Sequence, residues 1–92
     1  MSPIRRIAIR IHGNVQGVGF RMEAKRKAGK LHLTGFVKND PDGSVYMVAE
    51  GENAALEAFL VWCGRGPWGA GVRRVEAGAY AGTEAFHGFE VQ

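Results

Sequence analysis

Isoleucine recurs at every second position near the start of the chain, in the segment IAIRIH (7–12). A period of two is typical of a β-strand with one buried face. After a glycine-rich segment the spacing changes, because Phe20, Ala24, Ala28 and Leu31 recur every three or four residues. This second pattern predicts a helix that begins at Phe20 and has one apolar side.

A β-hairpin is predicted in the middle of the chain. The segments TGFVKND (34–40) and SVYMVAEG (44–51) are the predicted second and third strands. The sequence NDPDGS between them indicates a turn, because Pro41 presets φ and the pair Asp42-Gly43 suits positions that need a positive φ. The two strands are therefore expected to pair with each other.

A second helix and two further strands are predicted after the hairpin. Asn53 is the expected N-cap of this helix. The apolar residues that follow share one helix face, at i, i+3, i+4 and i+7: Leu56, Phe59, Leu60 and Cys63. The segment GRGPWGAG (64–71) is too rich in glycine to continue the helix and is predicted to be a loop. The segments 72–82 and 86–92 are then the fourth strand and a short fifth strand.

The predicted elements follow the order β-α-β-β-α-β, with the short additional strand at the end. This is the order of the ferredoxin-like βαββαβ sandwich, an α+β fold. We therefore expect an antiparallel sheet with two helices on one face, formed by a single domain over residues 1–92. Because this fold serves many unrelated functions, the function has to be argued from the site.

The composition is that of a globular domain. Of the 92 residues, 46% are hydrophobic and 23% are charged, which argues against disorder. The sequence has neither an apolar run near the ~18–20 residues that span a bilayer nor the apolar core of a signal peptide. We therefore expect a cytoplasmic protein with no membrane partner. The single cysteine, Cys63, lies in an apolar helical pattern and is predicted to be a buried thiol.

The net charge of +3 suits an anionic ligand. By itself it does not distinguish a small phosphate compound from a nucleic acid, and it is also common in proteins that bind neither.

The segment GNVQGVGFR (13–21) has the features of an anion-binding loop. It leads into a predicted helix, whose first amides have no intrahelical partner. Gly17 and Gly19 let the backbone curl, so that successive N–H groups form a nest for an anion. Arg21 is unfavourable by about 0.3–1 kcal/mol beside a helix N-terminus, but a guanidinium can bind two oxygens of a phosphate held there. A plain strand-to-helix turn with a solvated Arg21 is the alternative that these residues leave open.

Two other kinds of phosphate loop are excluded by their spacing. A Walker A loop requires Gly-Lys-Ser/Thr after four residues, whereas Gly13 is followed by NVQGVGF. A dinucleotide fingerprint would require a third glycine at the position of Met22, and the chain is too short for a Rossmann domain.

Two long motifs resemble the signatures of the acylphosphatase family. The first runs from Ile11 to Arg21 and contains Val-Gln-Gly-Val, one further residue, an aromatic residue and arginine. The second is GFVKNDPDGSVYMVAEG (35–51), with its glycine, aromatic residue, small apolar residue, basic residue and asparagine. The segment GPWGAGVRRVE (66–76) also looks like the family's loop before the fourth strand. The resemblance extends over essentially the whole chain and implies the same fold.

The resemblance assigns roles to individual residues. It implies that Arg21 binds the substrate phosphate and that Asn39 positions the attacking water. Together with Arg21, the backbone amides of the phosphate-binding loop would hold the phosphate: Val15, Gln16, Gly17, Val18, Gly19 and Phe20. A neutral amide can both donate to and accept from water, which suits this role for Asn39. From the residues alone, Asn39 could equally stabilise the turn that follows it.

The implied reaction is hydrolysis of the carboxyl–phosphate bond of an acyl phosphate, giving a carboxylate and inorganic phosphate. Phosphoryl transfer from such an activated anhydride needs mainly positioning and charge stabilisation from the protein. The resemblance therefore implies a monomeric, metal-independent enzyme with no cofactor, in which the substrate phosphate takes the proton from water. Free phosphate, the product, is expected to be a competitive inhibitor.

The remaining histidines and tryptophans are predicted to have structural roles. His12, His32 and His87 do not have metal-ligand spacing. His12 is expected to be exposed at a strand end. His32 stands near a helix end where many members of the family that the chain resembles have glycine, which implies a left-handed conformation that is costly for histidine. Trp62 and Trp68 are predicted to be packing residues.

Other functions are compatible with the topology. An RNA-binding module of the RRM type would need aromatic residues on its central strands, and IAIRI has none, so no nucleic-acid partner is expected. A closer alternative is the acylphosphatase-like domain of the carbamoyltransferases that mature hydrogenases, which handles carbamoyl phosphate in much longer chains. A third is an inactive binding scaffold, against which the presence of Arg21 and Asn39 argues.

Overall fold

Five strands and two helices follow one another in the predicted order. The chain is seen in a computed structural model that describes residues 3–92. The elements are β1 (Ile4–Asn14), α1 (Phe20–Lys30), β2 (Thr34–Asn39), β3 (Val45–Glu52), α2 (Asn53–Arg65), β4 (Gly71–Ala79) and β5 (Phe89–Val91). Neither helix within residues 3–92 is long and apolar enough to cross a membrane.

The strands form one sheet in the order β4-β1-β3-β2-β5. The pairs β1–β3, β1–β4 and β2–β3 are antiparallel, as predicted. The pair β2–β5 differs from the prediction: β5 runs parallel to β2, with Phe89 opposite Gly35. The reason is geometric: β4 ends at the level of Ile7, at the end of the sheet where β2 begins. A chain that leaves β4 there and adds a strand beside β2 has to run back in the direction of β2.

Both helices pack on one face of the sheet, as predicted. Their buried residues join those of the strands in a single core: Phe20, Ala24 and Ala28 of α1, and Leu56, Phe59 and Cys63 of α2. Burial raises the pKa of the Cys63 thiol, which is a core residue as expected.

The two tryptophans occupy contrasting positions. Trp62 packs on Phe20 and Phe59, with ring centroids 5.2 Å and 5.9 Å away, so the prediction for Trp62 is confirmed. Trp68 is 98% exposed, and the prediction that it packs is wrong. Gly66, two residues earlier, lies against the core instead, where an added Cβ would be 2.8 Å from Cε2 of Phe20. The loop therefore turns away from the core before it reaches Trp68.

Helix α2 begins one residue earlier than predicted. Glu52 is its N-cap, with φ −70° and ψ 153°, and it makes no side-chain capping bond. Asn53, the expected cap, is already helical. Its Oδ1 instead accepts a hydrogen bond from Nη1 of Arg5 at 2.5 Å. A partner 48 residues away has thus taken the oxygen that a local motif would have used.

Helix α1 ends in a Schellman motif that contains a strained histidine. The amide of Leu33 donates to the carbonyl of Ala28 at 2.9 Å, and the amide of His32 donates to that of Gly29 at 3.2 Å. This geometry holds His32 at φ 59°, the one positive φ among non-glycine residues within 3–92. The left-handed conformation that the sequence suggested for this position is therefore present.

We expect His32→Gly to stabilise the fold. A left-handed residue with a Cβ costs roughly 1–2 kcal/mol, and the entropy cost of glycine offsets about half of this. The melting temperature should rise by about 2–8 °C. Thermal unfolding of wild type, His32→Gly and His32→Ala measures this. An equal rise in His32→Ala, which keeps a Cβ, would contradict the explanation by backbone strain.

Candidate active site

The ends of three strands and the start of α1 meet at one end of the sheet. Residue Val45, the first of β3, lies between Ile11 of β1 and Asn39 of β2 in the strand register. The chain leaves β1 at Asn14 and enters α1 at Phe20, so the predicted phosphate-binding loop starts beside these strand ends. The two sequence motifs, separated along the chain, therefore converge at one edge of the sheet.

The backbone of the loop presents unpaired amides. Gly17 and Gly19 have φ of 75° and 76°, the left-handed conformation that glycine adopts without strain. Gly19 is the N-cap of α1 and provides no side-chain cap. Of the main-chain hydrogen bonds within residues 3–92, none is donated by an amide of residues 16–20. This arrangement of free donors before a helix is what binds an anion.

The side chains of the loop have different roles from one another. Val15 and Phe20, at its two ends, are 1% and 2% exposed and anchor the loop in the core. Gln16 turns towards the β2–β3 turn, where its Nε2 donates to the carbonyls of Asp40 at 2.8 Å and Ser44 at 3.0 Å. Gln16 thus ties the loop to the segment that follows Asn39. The sequence showed Gln16 as part of the loop but carried no signal for this tie.

The β2–β3 turn is held by its own polar side chains. Asp42 accepts hydrogen bonds from the Ser44 amide at 2.9 Å and from the Ser44 hydroxyl at 2.6 Å. The hydroxyl bond is the main cause that lowers the pKa of Asp42. Nη1 of Arg10 contacts Oδ2 of Asp40 at 2.5 Å and Oγ of Ser44 at 2.8 Å. The turn therefore holds the end of β2 in a defined position.

Arg21 reaches across to the edge of the sheet. Its Nη1 donates to the main-chain oxygen of Gln92 at 2.6 Å. The amide of Gln92 in turn donates to the carbonyl of Val37 at 2.8 Å, two residues before Asn39. Arg21 has no salt bridge to an aspartate or glutamate side chain within residues 3–92. Its charge is therefore not neutralised by a described acidic side chain.

The side chain of Asn39 has no hydrogen-bond partner within the described part of the chain. It is partly exposed at the last position of β2. Its backbone pairs with Val45, which fixes the position of the Cα while the amide group stays available. The arrangement thus brings the guanidinium of Arg21, a row of free backbone amides and the neutral amide of Asn39 to the same end of the sheet.

The side chain of His12 is bonded to strand β4 and makes no hydrogen bond to the phosphate-binding loop within the described residues. Nε2 of His12 is 2.6 Å from Oε1 of Glu76 and 3.3 Å from Nη2 of Arg74. The bond from His12 is the main cause that lowers the pKa of Glu76. His12 is partly exposed, less than the exposed position that was predicted, because it pairs with Arg74 of the neighbouring strand β4. Across residues 3–92, no cluster of three or more His, Cys, Asp or Glu side chains is placed to hold a metal ion.

Comparisons with known proteins point to one family. The family model described as Acylphosphatase matches residues 7–91. The protein named Acylphosphatase from Mannheimia succiniciproducens is 46% identical over 82 residues, which are 89% of this chain and 91% of that protein. The solved structure of an acylphosphatase from Coxiella burnetii has a TM-score of 0.91 and 36% identity, over 97% of this chain and 93% of that one. Full-length HypF, solved in a phosphate- and nucleotide-bound form, has a TM-score of 0.90 and 28% identity, over 100% of this chain but 12% of its own.

Proposed function

The chain belongs to the acylphosphatase family, and from this premise we propose that residues 15–20, Arg21 and Asn39 hydrolyse the carboxyl–phosphate bond of acyl phosphates. The assignment of these residues rests on one observation. The amides of residues 16–20 are unpaired and lie next to the cation of Arg21 at the start of α1. Such a cation is repelled by the helix dipole unless an anion lies between the two. A bound phosphate supplies that anion.

The proposed binding mode uses both kinds of donor. The amides of the loop and the N-terminus of α1 bind the phosphoryl oxygens, and the guanidinium of Arg21 binds two of them at once. Charge on these oxygens is redistributed as the phosphoryl group transfers, and fixed donors stabilise it without reorganisation. To reach the phosphate, Arg21 would give up its contact with the main-chain oxygen of Gln92.

Asn39 is proposed to position the water. The side-chain carbonyl accepts one hydrogen bond from the water and directs its oxygen at phosphorus. The water oxygen forms the new P–O bond while the bond between phosphorus and the carboxyl oxygen breaks. The carboxylate leaves with that electron pair, and the proton of the water passes to a phosphoryl oxygen. Asn39 neither gains nor loses a proton, which agrees with a side chain that is not a strong base.

The comparisons favour a free-standing acylphosphatase over the carbamoyl-phosphate domain. Identity is 46% to the Mannheimia succiniciproducens protein and 36% to the Coxiella burnetii structure, against 28% to HypF. We propose a single acylphosphatase-like domain over 1–92, of which the family model covers 7–91. We further propose that the enzyme acts as a monomer, in which the loop, Arg21 and Asn39 lie at one end of the same sheet.

The decisive experiment is an assay of acetyl phosphate hydrolysis with excess EDTA present. We expect release of acetate and phosphate at a rate that the chelator leaves unchanged, because Arg21 and the loop amides supply the stabilising charge. Inorganic phosphate should inhibit competitively, since it would occupy the same amides. Folded protein that is inert towards acetyl and benzoyl phosphate would contradict the proposal, and loss of activity with EDTA would contradict its metal independence.

A further inference from the structure

A cleft of about 450 Å³ lies directly beside the phosphate-binding loop. Its walls come from the loop itself, from the first turn of α1 and from the segment between α2 and β4: Val18, Gly19, Met22, Glu23, Pro67 and Trp68. The proposed phosphate site and the cleft thus share Val18 and Gly19 of the loop, so the cleft adjoins the position of a bound phosphate.

The walls of the cleft include the most exposed large apolar side chain within residues 3–92. Trp68 is 98% exposed, and Met22, immediately after Arg21, is 62% exposed. Leaving such side chains in water forgoes the stabilisation that burial would give. Large apolar groups that are exposed together mark a binding surface more often than isolated ones do. No core contact explains the position of Trp68, whereas Trp62 has such contacts.

The segment that carries Trp68 is anchored on both sides of the phosphate-binding loop. Before Trp68, Gly66 packs so closely on Phe20 that a Cβ would be 2.8 Å from its ring. After Trp68, the backbone of Gly71 pairs with Asn14 and lies against Gly13, where no Cβ would fit. Between these anchors, the amide of Ala70 donates to the carbonyl of Pro67 at 3.1 Å and closes a turn. The backbone of Trp68 is therefore held in a defined position relative to the loop, and its indole projects from it into solvent beside the cleft.

We propose that this cleft holds the acyl group of the substrate, with Trp68 and Met22 as the residues that select it. The proposal rests on the function proposed above and names the part of the substrate that the phosphate site does not contact. The acyl groups that fit are neutral and apolar, aromatic ones included, because the indole offers a flat face for stacking. Glu23 is the one ionisable side chain in the wall, so an acyl group that carries a second negative charge is disfavoured.

The test compares two substrates that differ only in the acyl group. For wild type and Trp68→Ala, kcat/KM is measured with benzoyl phosphate and with acetyl phosphate. We expect Trp68→Ala to lower the value for benzoyl phosphate by about fivefold, since one face of the ring loses its apolar contact, and to leave acetyl phosphate within about twofold. The inhibition constant of inorganic phosphate, which has no acyl group, should be unchanged. Val61→Ala is the matched control, because Val61 is also an exposed apolar residue, at 78%, but lies outside the cleft.

Each outcome separates this inference from the proposed function. If Trp68→Ala lowers kcat/KM for both substrates equally, or weakens phosphate inhibition, the residue supports the loop and the acyl subsite is wrong. If the ratio between the substrates is unchanged, the acyl group binds elsewhere, although acylphosphatase activity stands. If wild type hydrolyses neither substrate, the proposed function fails and the subsite fails with it. Because Trp68 makes no core contact, loss of folding is not expected to obscure the result.

Discussion

Arg21→Ala is expected to lower kcat/KM for acetyl phosphate at least ~10²-fold, which is about 2.7 kcal/mol of transition-state stabilisation. The guanidinium is the one positively charged side chain at the start of α1, and residues 16–20 supply only backbone donors beside it. Without this guanidinium, the phosphoryl oxygens are stabilised only by the partial positive charges of the backbone amides. Inhibition by inorganic phosphate should weaken as well, because Arg21 binds the same oxygens before and after reaction.

The stability of this variant distinguishes a catalytic from a structural role. Arg21 is placed unfavourably at the positive end of a helix, and its one side-chain hydrogen bond within residues 3–92 goes to the main-chain oxygen of Gln92. The melting temperature of Arg21→Ala should therefore change little while activity collapses. Arg21→Lys keeps the charge without the bidentate geometry, so its activity should lie between that of wild type and that of Arg21→Ala. Near-normal hydrolysis by a folded Arg21→Ala would overturn the assignment of the phosphate site.

Asn39→Ala is expected to lower kcat by at least ~10²-fold through a different step. If Asn39 positions water and does not hold the phosphate, its loss slows the reaction of bound substrate. The inhibition constant of inorganic phosphate should then stay within about twofold of wild type, in contrast to Arg21→Ala. Steady-state kinetics together with phosphate titration of both variants measure this difference.

A neighbouring residue provides the control for Asn39. Lys38 precedes it on β2, and its Nζ lies 3.7 Å from Oδ1 of Asp40 and 5.7 Å from the centre of the Tyr46 ring, with no hydrogen bond to the loop within residues 3–92. Lys38→Ala should retain wild-type kinetics. Should Asn39→Ala instead lose phosphate binding and activity together, Asn39 would be a phosphate ligand or a support for the turn, and its assignment to water would be wrong.

Local patterns in the sequence were sufficient for most of the secondary structure. The helices at Phe20 and after Glu52 follow apolar spacings of three and four residues, and these spacings face the core as expected. A helical spacing of apolar residues can be recognised within a few helical turns. A short segment of sequence is therefore sufficient to predict the helix and its buried face. The prediction that Asn53 caps α2 was wrong because a distant partner competes with the local one: Arg5 donates to the Asn53 oxygen.

The candidate site was predictable in its chemistry but not in its assembly. Free amides and a cation at a helix start can be inferred from GNVQGVGFR, because both depend on adjacent residues. The contacts of Gln16 with residues 40 and 44, and the pairing of Gln92 with Val37, join segments that lie 24 or more residues apart. No local pattern encodes such contacts, and they are what bring the loop and Asn39 to one edge of the sheet.

By itself, the sequence determined the order of elements, the apolar faces and the chemistry of the loop, because backbone geometry and side-chain spacing act over short distances. Only the tertiary structure decided the parallel pairing of β5, the contacts that hold the loop to β2, and the exposure of Trp68 beside the loop. Each of these depends on which surface is left free after the other elements have packed. The apolar character of Trp68 predicts burial, and only the fold shows that Gly66 has already filled the space against Phe20.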